Sequence, residues 1–201
     1  MVVSGVPPRR LVLASASPAR RRVLLDAGFA PDVMVSGVDE DIEAASTESL
    51  VGQLAERKAM AVAPRCPGSL VLGCDSMLEV DGQARGKPRD ESAALEMWHT
   101  QSGRVGTLFT GHCLIDTSRN ARRSAVAQTS IRFGEPEDDE LAAYIASGEP
   151  LGVAGAFTLE GRGAPFVVGI DGDPSNVLGL SLPLFRRLLR ELGVPLGDLW
   201  V

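Results

Sequence analysis

The sequence predicts an α/β protein built on a mixed, twisted sheet with flanking helices. Three observations carry that expectation. Short apolar runs alternate with longer stretches of helical periodicity along the 201 residues. Helix starts are marked by Ser, Thr or Asp with Pro beside them, and helix ends by Gly or Pro. Two long runs, 107–116 and 125–133, are joined by a polar, Arg-rich turn too short for a crossover. They pair antiparallel, so the sheet is mixed.

Each element follows from its own residues. Leu11–Ala14 reads as a short buried strand. Ser17 and Pro18 open a helix that runs to Ala27 and stops at Gly28, Ser as N-cap and Pro at the first helical position. Residues 32–38 read as a strand. Ser46 or Thr47 caps a helix over 48–63, ended by Pro64, with Leu50, Val51, Leu54, Ala55, Ala59 and Val62 on its apolar face. Residues 69–73 form an apolar strand, and 77–80 continue it towards an Asp81-Gly82 turn. Residues 90–101 and 136–146 are amphipathic helices, 166–170 a strand, and 182–192 a last helix ended by Gly193. No internal repeat and no long linker divides the chain, so 1–201 reads as one domain.

Composition narrows the function classes. The apolar fraction is 44% and the formal net charge −6, which excludes a disordered chain. Acidic balance argues against binding along a nucleic-acid polymer, which needs basic surface to displace counterions. The three cysteines, Cys66, Cys74 and Cys113, form no disulfide framework and no zinc spacing, so a reducing cytoplasm is expected. The apolar runs are too short to span a bilayer, and MVVSGVPPRR has no apolar leader core. His99 and His112 lack metal-pair spacing and read as structural.

Four segments are candidates for chemistry. In the first, Ser15 and Ser17 precede Arg20, Arg21 and Arg22 at a helix start. Cations are disfavoured there unless an anion binds, so the segment is either a phosphate cradle or a capped helix with a solvated Arg run. In the second, Asp75 follows the apolar run 70–73, and Asp39-Glu40-Asp41 follows the strand ending at Val38. Ligands gather at strand carboxyl ends in open α/β sheets. Two such carboxylates either share a Mg²⁺ or serve as turn residues. In the third, Lys58 lies on the apolar stripe of its helix, where it snorkels or reaches an anion, and Lys87 sits in a Gly86-Lys87-Pro88 loop. The fourth, 155–163, is Gly-rich and allows either close backbone approach to a ligand or a series of turns. Rossmann, P-loop, zincin and α/β-hydrolase motifs are absent.

Taken in order, these segments resemble the Maf family of nucleotide pyrophosphatases, once named for septum-formation inhibition. The resemblance covers nearly the whole chain. It rests on LASASPARRRVLL, VDED, LAERKA, LGCDSMLEVDG with GKPRD, QSGR with FTGHCLI, YIASGEPLGVAGAF, LEGRG and NVLGLSLP. Each piece is weak alone, and their collinear order is specific. The resemblance implies an elongated, two-lobed, inosine-triphosphatase-like architecture with a central cleft. It implies hydrolysis of a nucleoside triphosphate, standard or modified, to the monophosphate and pyrophosphate, with Mg²⁺ or Mn²⁺, and a homodimer.

By matched motif, Asp75 corresponds to the catalytic carboxylate and Glu40, with Asp75, to the metal site. Ser15, Ser17, Arg20, Lys58 and Lys87 correspond to phosphate contacts, and Glu160 to a position linked to substrate choice. Ala19 stands where many members have the first of two arginines. Val153 and Glu160 stand where the dTTP/UTP-preferring branch has Lys and Gln, and the 7-methyl-GTP branch also has Glu at the latter position. The resemblance therefore leaves the base open. A nucleotide-sensing protein linked to cell division, without turnover, and a phosphotransferase are the competing expectations.

Overall fold

The computed structural model describes residues 9–201. The residues read as lacking a leader core, 1–8, lie outside the described residues. Among the described residues seven strands form one mixed sheet. Strand β1 (Leu11–Leu13) leads through helix α1 (Pro18–Asp26) to β2 (Asp32–Val33). Helix α2 (Thr47–Val62) then precedes β3 (Leu70–Val80), β4 (Gln83–Arg85) and helix α3 (Glu91–Gln101). The long hairpin β5 (Val105–Asp116) and β6 (Ala121–Phe133) follows, then α4 (Asp138–Ala146), β7 (Val167–Gly172), α5 (Pro174–Val177) and α6 (Leu182–Glu191).

The strand order is β2-β1-β3-β5-β6-β7, with β4 hairpinned onto β3. β1 pairs parallel with both β2 and β3, and the remaining pairs are antiparallel. This is the mixed α/β sheet the sequence predicts.

Several expectations differ: β6 begins at Ala121 rather than 125, so Arg122 and Arg123 lie in the strand instead of the turn, and β4 and α5 have no counterpart among the expected elements. The strand expected over 32–38 stops at Val33, because β1 is three residues long and its register ends at Leu13 opposite Val33. The strand expected to end at Gly73 instead runs unbroken to Val80 and pairs residue by residue with β5. Asp75 therefore sits inside a strand rather than after one.

The alternation along β3 sorts the core. Leu70, Leu72 and Cys74 join α1 and α6 in one cluster around Leu24, Phe185 and Leu188. Leu78 and Val80, on the same face of the strand, join α3 and α4 in a second cluster around Trp98, Phe133 and Tyr144. Ser76, on that face between them, belongs to neither. Val71 faces the opposite side with Val12, Cys113 and the α2 residues Ala55, Ala59 and Val62.

Helix α2 comes unusually close to the sheet. A Cβ on Gly73 of β3 would overlap the Ala55 carbonyl, and one on Gly111 of β5 would overlap the Val51 carbonyl. Two glycines thus let the helix backbone rest against the strands. The same approach carries Lys58 of α2 over Asp75 of β3.

Candidate active site

β1 ends at Leu13 while β3 continues, and β4 joins β3 only from Leu78 onward. Residues 73–77 of β3 therefore keep one edge free of strand partners. A cleft of about 520 Å³ opens along that edge. That size suits a small-molecule ligand. It is lined by the β1–α1 connection, the irregular chain 35–40, α2, β3, the loop after β4, and residues 152–160 and 177–179. Asp75 is part of the lining where the cleft opens past the end of β1.

The eight residues to which the family resemblance gives roles all line this cleft: Ser15, Ser17, Arg20, Glu40, Lys58, Asp75, Lys87 and Glu160; Arg21, Arg22, Asp39 and Asp41 do not. Its ionisable lining is three cations against three carboxylates, Arg20, Lys58 and Lys87 against Glu40, Asp75 and Glu160.

The floor of the cleft is an ion triad. Lys58 Nζ lies 2.6 Å from Asp75 Oδ1 and 2.7 Å from Glu40 Oε1. Lys58 and Asp75 are buried, whereas the Glu40 side chain is 61% exposed. Lys58 thus neither snorkels to solvent nor waits for an anion alone: it is the cation on which two carboxylates from distant segments converge. A buried charge needs such partners. The second oxygens of Asp75 and Glu40 have no hydrogen-bond partner among the described residues.

Arg20 does not belong to the solvated Arg run of the first candidate. Arg21 and Arg22 are solvated, but Arg20 is buried. Its guanidinium donates four hydrogen bonds: Nε to the Gly179 carbonyl at 2.8 Å, Nη1 to Ser15 Oγ at 3.1 Å and the Cys74 carbonyl at 2.9 Å, and Nη2 to Ser76 Oγ at 2.9 Å. Arg20 braces the β1–α1 connection, β3 and the turn at Gly179 against one another. One of its five N–H groups remains for a ligand.

Ser17 is the N-cap of α1 and accepts from the Arg20 N–H at 3.4 Å. Ser15 Oγ accepts from the Ser17 N–H at 3.2 Å. The segment from Ala14 to Arg20 thereby turns a helix N-terminus towards the cleft, the end of a helix that favours anions.

Lys87 is exposed at the rim, its loop tied to the opposite wall by the Gly155 N–H on the Gly86 carbonyl at 3.0 Å. Glu160 is exposed on that wall beside Val153, Phe157 and Leu159.

Several lining groups went unassigned in the sequence. Ser76 receives Arg20 and shares a hydrogen bond of 3.0 Å with the buried Thr110 behind it, and Gly179 supplies a carbonyl from 104 residues beyond Asp75. The motif LGCDS contains Ser76, but its role depends on Arg20 reaching it across the fold.

Two neighbours are inert. Burial pushes the Cys74 thiol up to about 12, so it stays protonated beside Asp75 and is no nucleophile at neutral pH. Burial pushes His112 down to about 4. Its Nε2 accepts from the Ser181 N–H at 2.9 Å, so Nδ1 carries the proton and donates to the Thr110 carbonyl at 3.0 Å. His112 is structural, as its sequence context indicates.

Fold and cleft define a class: an α/β protein with a helix N-terminus and a Lys-bridged carboxylate pair in one cleft. The family follows from comparison. Residues 10–192 match the model of the Maf-like protein family, and the chain belongs to that family. Curated relatives called nucleoside triphosphate pyrophosphatase include one from Streptomyces coelicolor, 60% identical over an alignment of 197 positions that covers 96% of each chain. Others come from Salinispora tropica, 53% identical over 98% of this chain and 90% of its own, and from Synechocystis, 50% identical over 96% and 100%. Among solved structures, the Staphylococcus aureus Ham1 protein aligns over 92% of this chain and 95% of its own, at a TM-score of 0.45 and 15% identity.

Proposed function

We propose that the protein hydrolyses nucleoside triphosphates to the monophosphate and pyrophosphate. The observation that carries this reading is the convergence of Asp75 and Glu40 on Lys58 beside the α1 N-terminus. The name shared by relatives at 50–60% identity supports the same reaction.

Phosphoryl transfer is chiefly a problem of positioning and charge. The N–H groups before α1, the last N–H of Arg20, and Lys87 hold phosphate oxygens. Lys58 orients Asp75 by occupying Oδ1, which leaves Oδ2 facing the cleft, either to take the proton of an attacking water or to hold a cation. Water adds to the α-phosphorus, the bond to the α–β bridging oxygen breaks, and pyrophosphate leaves with that oxygen.

The cleft's charges balance to zero, three against three, whereas a triphosphate brings several negative charges. The two unpartnered carboxylate oxygens fit a divalent cation. No cluster of three acidic, His or Cys side chains exists among the described residues to complete a protein cage. A pair of carboxylates suits Mg²⁺ or Mn²⁺ that keeps waters and shares the substrate's oxygens. Glu40 and Asp75 would hold such an ion, which would supply charge neutralisation and a more acidic water.

Among the described residues no helix is long and apolar enough to cross a membrane. The three buried, free cysteines fit a cytoplasmic protein. A homodimer, implied by the family resemblance, is part of this reading.

The test is product analysis over a panel of NTPs, dNTPs and modified nucleotides, with Mg²⁺ or Mn²⁺ and with chelator. We expect monophosphate and pyrophosphate in equal amounts, loss of activity on chelation, and recovery with either metal. Orthophosphate as the first product would indicate attack at the γ-phosphorus and refute the assignment. Binding without any product would favour a sensor.

A further inference from the structure

One half-buried carboxylate beside the cleft wall does not itself line the cleft. Glu149 follows α4 and opens the turn that leads into Gly152, Val153 and Ala154 of the lining. Its side chain reaches the other part of the same wall. Glu149 Oε1 accepts from the Thr158 hydroxyl at 2.5 Å and from the Gly163 N–H at 3.1 Å, and Oε2 from the Arg162 N–H at 3.1 Å. Because Thr158 donates to Glu149, its oxygen accepts from the Tyr144 hydroxyl at 3.2 Å.

The loop wraps this carboxylate closely. A Cβ at Gly161, whose φ is +68°, would lie within 3.0 Å of the Glu149 carboxyl atoms. Burial raises the Glu149 pKa, but the Thr158 hydroxyl and the N–H groups of Arg162 and Gly163 outweigh it, and the net shift is downward. The group is charged throughout the neutral range.

We infer that Glu149 is a positioning residue for nucleobase selection. It fixes Thr158 to Gly163 as one rigid loop and thereby sets where Glu160 meets the base. The inference rests on reading the cleft as the nucleotide site. Residues 152–160 form one continuous segment of that cleft's lining. Val153, Phe157 and Leu159 offer apolar surface there, and Glu160 offers a hydrogen-bond acceptor, as a base requires. Glu149 touches neither Ser15, Ser17, Arg20 or Lys58 nor the lining side chain of Glu160, so its influence passes through the loop.

Glu149→Gln tests this without changing size. A carboxylate accepts from all three donors, whereas an amide turns its own NH₂ towards at least one of them. In E149Q, kcat/KM for the preferred nucleotide should fall about tenfold or more through KM, with kcat within about threefold. The ratio of kcat/KM between best and worst nucleobase should shrink several-fold. Competitive inhibition by inorganic tripolyphosphate, which has no base, should stay within about twofold. Tyr144→Phe removes the outer hydroxyl and should move the same ratios less.

Unchanged nucleobase ratios in both variants overturn the inference. Parallel weakening of tripolyphosphate inhibition also overturns it, because that marks general disorder rather than loop positioning. If E149Q folds poorly, Tyr144→Phe decides alone. A wild-type protein that hydrolyses no triphosphate refutes the reading of the cleft itself, and this proposal with it.

Discussion

Lys58 is the residue on which the cleft's chemistry turns. An ammonium this buried is tolerated because Asp75 and Glu40 both reach it. Asp75→Asn keeps the shape but removes the proton acceptor and one charge, so pyrophosphate release per folded molecule should fall at least about 10²-fold, and the melting temperature should drop because Lys58 keeps only Glu40 as a charged partner. Near-normal turnover would remove Asp75 from the mechanism. Arg20→Ala has a different signature. Four hydrogen bonds inside the protein are lost, so we expect a loss of about 2–4 kcal/mol in denaturant titration together with reduced kcat/KM. An activity loss with full stability would mark Arg20 as a pure phosphate contact instead. The sequence showed that cations at a helix start are anomalous. It could not show that Arg20 would leave the helix surface to brace Ser15, Cys74, Ser76 and Gly179.

At the scale of elements, the decisive contact is α2 lying directly on β3 and β5. Gly73 and Gly111 permit it, and their replacement should be felt in both stability and catalysis. Gly111→Ala sets a methyl group against the Val51 carbonyl. Backbone cannot yield as a side-chain tip does, so we expect about 1–3 kcal/mol of destabilisation. Displacing α2 also lifts Lys58 from Asp75, so kcat should fall more than the residual folded fraction explains. Unchanged kcat per folded molecule would show that the triad tolerates a shifted helix. Periodicity identified α2 and its apolar stripe, including Lys58 on it. The close approach depends on two glycines 38 positions apart that become neighbours only through strand pairing. The short β2 has a similar origin: its residues could extend further, but β1 offers no further partner.

Across the whole molecule, two core clusters share one face of β3 and leave Ser76 between them, and the cleft opens at that seam. His112 fastens the seam from behind by joining Thr110 to Ser181. Its folded pKa, about 4, lies below the ordinary 6.5. The unfolded chain therefore binds a proton that the folded chain refuses between those values. This contribution to stability is full above pH 6.5 and declines as pH falls towards 4. Urea midpoints should be flat from pH 8 to 7 and fall from pH 6.5 to 4.5. In His112→Gln the slope in that window should be shallower by one proton; an unchanged slope would assign the acid sensitivity to other groups.

The sequence by itself determined the order of the main elements, the mixed sheet, the family and eight of the residues that line the cleft. Local patterns carry these: caps, periods, turns and collinear motifs depend on near neighbours. Tertiary structure decided what those residues do to one another. It placed Asp75 within a strand, gave Lys58 two carboxylates, turned Arg20 from a surface charge into a brace, and recruited Glu149 to hold a loop. Each of these is a contact between chain segments far apart in sequence, created only when strand register and helix packing bring them within a few ångströms.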